Sequence, residues 1–226
     1  MSNWRRNWIR ETCLLATRLS RGEAGGGYAE AAILVCAALN ALAAELWPGT
    51  SIDRVRFIEM LVKLGPEAST CSTISVPLLI QHLTSTKNVA DAEKLQRAFA
   101  VPQISRVLTD PEVDQPESAI LAVCPALNLE MLRQFSYASI LYSEIRSSYA
   151  HQYQPGERAG SWPMTMLHDQ KVSYINRLCD DLQSRRLLHF HIDWLLALPV
   201  ELAGVTDGLS SGLPNPQPKI WWAKGA

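Results

Sequence analysis

Residues 28–46 read YAEAAILVCAALNALAAEL. Coiled into a helix, this stretch is apolar on nearly every face, and alanine supplies much of that apolarity. Small side chains let neighbouring helices approach closely, so the pattern predicts a helix at the centre of a bundle rather than one lying on its surface. The segment is about as long as a membrane span, but Glu30, Asn40 and Glu45 interrupt it, and a buried helix accounts for it better. Gly25-Gly26-Gly27 precedes it and Pro48-Gly49 ends it, which sets its limits at both ends.

Helical spacing continues on both sides. Trp8, Cys13 or Leu15, and Leu19 recur along residues 4–19, with arginines between them. Val55, Phe57, Ile58, Leu61, Val62 and Leu64 predict a third helix, capped by Ser51 or Asp53 and stopped by Gly65-Pro66. Two shorter helices are expected over 76–83 and 90–100. Prolines 102, 111, 116 and 125, together with Asp110, Glu112, Asp114 and Glu117, suggest an irregular, solvated excursion over about 101–127.

From Asn128, the series Leu129, Leu132, Phe135, Ala138 or Ser139, Tyr142 and Ile145 predicts one long helix that delivers Arg146 near its C-terminal end. Residues 172–178 suit a short strand or a helix. Residues 187–205 read as a last long helix, kinked or divided by Pro199. The whole is expected to be an all-α, up-and-down helical bundle with room for one short strand pair. One domain is expected over 1–205, and a flexible tail over 206–226 anchored at Ile220-Trp221-Trp222.

With 226 residues, 47% of them hydrophobic and 19% charged, the chain can bury a sizeable core. Cys13, Cys36, Cys71, Cys124 and Cys179 are odd in number and form no CxxC pair, so buried thiols in a reducing cytosol are expected. Residues 1–8 mix arginine with tryptophan and do not read as a signal peptide. A net charge of −1 offers no global field for nucleic acid, so any RNA contact must come from a local patch.

The chemistry concentrates in Arg146-Ser147-Ser148-Tyr149-Ala150-His151-Gln152-Tyr153. A guanidinium can hold a phosphate and an imidazole can move a proton near neutral pH, so the segment carries parts for metal-free phosphodiester chemistry. Five positions on a continuous α-helix separate Arg146 from His151 by about 140° around the axis. Either the helix loosens before His151 or a second subunit supplies half of the site.

The pattern Arg146, four residues, His151, one residue, Tyr153 resembles the active-site signature of the HEPN superfamily (higher eukaryote and prokaryote nucleotide-binding), small helical proteins of which many are RNases. Ser147 stands where that family usually has another polar residue. The resemblance implies a HEPN-like bundle and a cytoplasmic homodimer that pairs two Arg/His sets in one cleft. It also implies RNA as substrate, with Arg146, His151 and Ser147 as site residues and no metal or cofactor. Tyr153 matches the position that a partner antitoxin nucleotidylates in toxin members, which implies a toxin or defence role and an antitoxin or nucleotidyltransferase partner. A non-catalytic nucleotide- or protein-binding module is the alternative implied by fold alone.

Other constellations carry plainer readings. His168-Asp169, with His151 upstream and Asp180 and Asp181 downstream, is similar to the metal-chelating pair of HD-type phosphohydrolases, but it follows a Trp-Pro loop and reads better as a helix start. His189, His191 and Asp193 would share one side of a strand and suit zinc, whereas on the expected helix they diverge and become buried, hydrogen-bonded groups. Arg5, Arg6 and Arg10 among Trp4 and Trp8 have the composition of an RNA clamp and equally of a solvated helix face, and Arg185-Arg186 is read in the same way. Glu30 and Glu45 need partners if buried, and Arg133 or Arg146 is expected to supply one.

Overall fold

The structure, a computed structural model, describes residues 3–102, 106–161, 170–178, 184–208 and 217–225. Helices α1 (Asn3–Ser20) and α2 (Tyr28–Leu46) are followed by α3 (Asp53–Lys63), α4 (Ala68–Ser72), α5 (Val76–Ser85) and α6 (Val89–Ala98). Helix α2 takes the central place its composition predicts, packing against α1, α3 and a late helix, α12 (Ile192–Gly208). Ala31, Ala32, Val35, Leu39 and Ala43 on α2 are fully buried. It is also the one helix among the described residues with the length and apolarity of a membrane span.

The chain is mostly helical but not all-α. Strands β1 (Leu108–Thr109), β2 (Val172–Leu178) and β3 (Ser184–Phe190) form an antiparallel sheet in the order β1-β2-β3. Val172 pairs with Phe190 and Leu178 with Ser184, so residues 187–190, expected in a helix, complete a strand. The physical reason is burial on both faces. Leu187 to Phe190 are buried without interruption, and a mostly apolar run with no alternation looks the same in a doubly covered strand as in a core helix. Helix α12 begins only at Ile192 and runs as one element through Pro199.

The proline-rich stretch is not a solvated excursion. It holds β1, α7 (Asp110–Val113) and α8 (Glu117–Val123), and Leu108, Val113 and Ile120 are buried to 1% exposure or less. Its prolines and acids are helix-start grammar. Pro111 lies in the first turn of α7, whose capping box is Thr109 with Glu112, and Pro116 is the N-cap of α8.

Asp114, also in this stretch, is buried at the meeting point of several elements. Its carboxyl accepts hydrogen bonds from the hydroxyls of Tyr137 and Tyr174 and from the Val76 N–H at 3.0 Å. Tyr174 also reaches the Ser75 hydroxyl at 2.8 Å. The start of α5, the start of α10 (Tyr137–Ile140) and strand β2 are thereby tied to one residue. A second tie holds Lys171, whose ammonium meets Glu67 at 2.5 Å while the Trp194 indole N–H donates to the same carboxylate at 3.2 Å.

Burial pushes the Asp114 carboxyl up to about 7, only partly offset by its three donors, and neighbouring Asp110 adds to the rise. The folded chain therefore binds this proton more tightly than an unfolded aspartate with its ordinary value of 3.8. The stability it contributes is full below about pH 4 and is lost as pH rises through about 7. His191, held by burial below its ordinary 6.5, acts in the opposite sense, so the comparison must be between parent and variant. Thermal unfolding of Asp114→Asn, followed by circular dichroism at pH 5 and pH 8, is expected to show a stability deficit against the parent that shrinks at the higher pH.

Candidate functional site

Residues 129–146 do not form the single helix that their apolar spacing predicts. Helix α9 (Leu129–Arg133) ends in a short break, and a new helical run then starts at Tyr137. Ser136 caps that run, its hydroxyl accepting from the Ser139 N–H at 3.2 Å. After α10 the backbone widens into a π-helix over Leu141–Ser147 and returns to α-helical geometry in α11 (Ser148–Gln152). The Ser148 hydroxyl donates to the Ser143 carbonyl, five residues back, at 3.0 Å. π-Helical turns are rare and occur disproportionately at functional sites. The helix thus loosens upstream of His151, and a continuous α-helical wheel does not describe the stretch around Arg146.

Arg146 lies in this π-helix, half-buried towards α2. Its guanidinium carbon sits 5.1 Å from the centre of the Tyr142 ring, and Nη1 reaches the Tyr142 hydroxyl at 3.5 Å. Its charge is felt at Cys36 on α2, pulling against the burial that pushes this thiol up to about 12. Arg146 has no carboxylate partner among the described residues. Ser147 is half-buried, and its side chain makes no hydrogen bond among them. His151 is exposed on the last turn of α11, likewise with no hydrogen bond or ion pair among the described residues. The one run of helix therefore presents all three groups, but no direct contact joins Arg146 to His151.

Tyr153 follows in the left-handed conformation, φ 55°, and closes α11 by donating its N–H to the Tyr149 carbonyl at 3.2 Å. The residue is 60% exposed, and its hydroxyl donates to the Glu30 carboxylate. This bond, with the Gly27 N–H that Glu30 also accepts at 2.8 Å, holds the Glu30 carboxyl below its usual range. The expected partnership of Glu30 with an arginine is thus replaced by a tyrosine and the N-terminal backbone of its own helix. Arg133 pairs instead with Glu117, Nε to Oε2 at 2.6 Å.

Sequence reasoning missed the group that braces the π-helix. Glu144, 7% exposed, accepts from Arg158 Nε at 2.8 Å and from the Arg158 N–H at 3.2 Å, and its carbonyl accepts from the Gly156 N–H at 2.8 Å. The available signal was an acidic residue beside Ile145 in an otherwise apolar stripe, since such a carboxylate needs a nearby cation. Arg158 also borders a cleft of about 730 Å³ lined by Gln81, His82, Gln134, Phe135 and Arg185 among others. The His82 ring and the Arg158 guanidinium lie 5.1 and 5.5 Å from the Phe135 ring. Neither Arg146 nor His151 lines that cleft.

The remaining candidates separate. His189 lies in β3 with its ring against the backbone of Gly160, His191 follows the strand and shares a 2.7 Å hydrogen bond with Ser173, and Asp193 is exposed on α12. Among the described residues, no three His, Cys, Asp or Glu side chains are grouped to hold a metal ion. His168-Asp169, Asp180, Asp181 and Cys179 lie outside the described residues, as do the side chains of Trp4 and Arg5. Arg10 pairs loosely with Glu11 at 3.7 Å, and Trp8 is 36% exposed. Arg185 is half-buried, while Arg186 is 9% exposed and donates from Nε to Asn176 at 2.9 Å. Cys13, Cys36, Cys71 and Cys124 are buried free thiols.

No protein-family model, curated protein or solved structure matches this chain.

Two glycines separate the bracing from general helix propensity. A Cβ on Gly156 would lie 2.0 Å from Glu144 Oε2, whereas one on Gly204, exposed within α12, would meet nothing within 4 Å. Gly156→Ala is expected to lower unfolding free energy by about 1–3 kcal/mol, because the carboxylate it displaces is fixed by Arg158. Gly204→Ala is expected to raise it by up to about 1 kcal/mol. Chemical denaturation of both variants checks the pair.

Proposed function

We propose that this chain is a metal-independent endoribonuclease with a HEPN-like site, working in the cytoplasm as a homodimer. The observation that carries the reading is Arg146, half-buried in a π-helix with no carboxylate partner among the described residues. Leaving a cation without an acid at such a position costs stability, and an anionic substrate is a natural counter-charge. Exposed His151, on the same run of helix, supplies a proton carrier.

In the proposed reaction the RNA 2′-hydroxyl attacks the adjacent phosphorus. The 2′-oxygen–phosphorus bond forms, the phosphorus–5′-oxygen bond breaks, and the products are a 2′,3′-cyclic phosphate and a free 5′-hydroxyl. One His151 takes the proton from the 2′-hydroxyl and the His151 of a second copy returns a proton to the 5′-oxygen, each step worth roughly 10²- to 10⁴-fold. Arg146 offers a forked donor to the charge that grows on the phosphorane oxygens. Ser147 hydrogen-bonds a phosphate oxygen or orients the imidazole. Tyr153, exposed and held by Glu30, is the proposed point of modification by a nucleotidyltransferase antitoxin; under this reading the chain is a toxin or defence component.

The second reading, a binding module without catalysis, is favoured by the 730 Å³ cleft, which is lined by residues outside the motif. Incubation of the purified chain with single-stranded RNA in excess chelator separates the two. Cleavage is expected, with cyclic-phosphate ends, and His151→Ala and Arg146→Ala are each expected to reduce it by about 100-fold or more with helical content unchanged. DNA of the same sequence, lacking the attacking hydroxyl, is expected to remain intact. Saturable binding of RNA or nucleotide without cleavage would instead select the binding module, and cleavage only with added divalent metal would select an HD-like hydrolase.

A further inference from the structure

The C-terminal segment 217–225 contains one 3₁₀ turn, Trp222–Lys224, and is held through its backbone as well as through its aromatic rings. Trp221 is 8% exposed and meets the Trp47 ring edge-on, with centroids 5.7 Å apart. The Trp222 N–H donates to Glu59 at 2.6 Å, and its carbonyl accepts from Arg133 Nη1 at 2.9 Å. The same guanidinium lies 4.7 Å from the centre of the Trp222 ring. One residue's backbone is therefore read on both sides by side chains, while neighbouring aromatic rings supply the apolar contact. This division of labour, backbone bonds for affinity and side-chain pockets for specificity, is that of peptide recognition.

Part of the receiving side is held by groups outside the segment. Arg133 is fixed by Glu117 through two bonds, Nε to Oε2 at 2.6 Å and Nη2 to Oε1 at 3.1 Å, which aims Nη1 at the Trp222 carbonyl. Glu59, on α3, is 6% exposed, and its one hydrogen bond among the described residues comes from Trp222. A buried carboxylate needs a donor, and here the needed donor arrives on a segment remote in sequence. Pre-placement of Arg133 lowers the ordering cost of binding.

We propose that the crevice formed by Trp47, α3 and α9 is a recognition site for a peptide that carries two adjacent tryptophans and passes into one 3₁₀ turn, and that the chain fills this site in cis with Trp221 and Trp222. Tethering gives the resident segment an effective concentration of about millimolar order, so a free peptide of the same chemistry enters only when the resident is weakened.

The test uses the full-length chain carrying Trp221→Ala and Trp222→Ala, titrated against a fluorescent peptide of residues 217–226 and read by anisotropy. Saturable binding to this variant is expected, with the parent binding at least about tenfold more weakly and Glu59→Gln in the variant background reducing affinity. The proposal is overturned if the folded variant does not bind, if the parent binds equally well, or if a peptide with both tryptophans replaced by alanine binds as tightly. Should the double variant unfold, Trp222→Ala alone, which keeps the buried Trp221 ring, is titrated in its place. Unfolding of that variant as well would make the segment an ordinary part of the core and also overturn the proposal.

Discussion

A carboxyl group removed from water must find donors, and Asp114 finds them on three separate elements. Val76 begins α5, Tyr137 begins α10, and Tyr174 sits in the middle strand of the sheet. Around this point Ile74 pairs with both Gln115 and Ser136 in isolated bridges, so the backbone closes where the side chains meet. The helical run from Tyr137 to Gln152 therefore starts from a fixed position. The placement of Arg146 and His151 depends on that anchor.

The same run is held along its length by groups of different kinds. Ser136 caps its first turn, Glu144 fastens its middle to Arg158, and Tyr153 at its far end is tied to Glu30 at the start of α2. Phe57 of α3 packs edge-on against Tyr142, with ring centres 5.3 Å apart, and Tyr142 lies beneath the Arg146 guanidinium. Helix α3 also carries Glu59, so one short helix supports both the motif arginine and the C-terminal tryptophans. Bracing of this density suits a site whose groups must be presented at fixed separations.

What was legible in the sequence was what burial alone decides. The limits of α2 follow from glycines before it and Pro48-Gly49 after it, and its all-round apolarity follows from its central place. The segment carrying Arg146, Ser147, His151 and Tyr153 was legible as a helix end with chemistry on it. The π-helix was not, because Phe135, Tyr142 and Ile145 keep acceptable α-helical spacing and the extra residue per turn leaves no compositional mark. β3 was hidden for a different reason, since an uninterrupted buried run has no period of two to reveal it. The prolines at 111 and 116 misled because the same residue that breaks a helix also begins one. Asp114 was counted among solvated acids because its donors lie 23 to 60 residues away, beyond the reach of local pattern.

The helical run from Tyr137 to Gln152, anchored at both ends, also constrains how this chain can vary in length. Loops absorb an added or lost residue by changing shape, but a helix converts it into rotation. Loss of one residue from the α-helical turns of α10 or α11 would turn the portion beyond it by about 100° around the axis relative to the portion before it. His151 and Tyr153 would then swing away from Glu30 while Tyr137 stayed on Asp114. Among chains descended from a common ancestor with this one, insertions and deletions are thus expected to collect in the connecting loops. The span from Tyr137 to Tyr153 would keep its length even where its residues have changed.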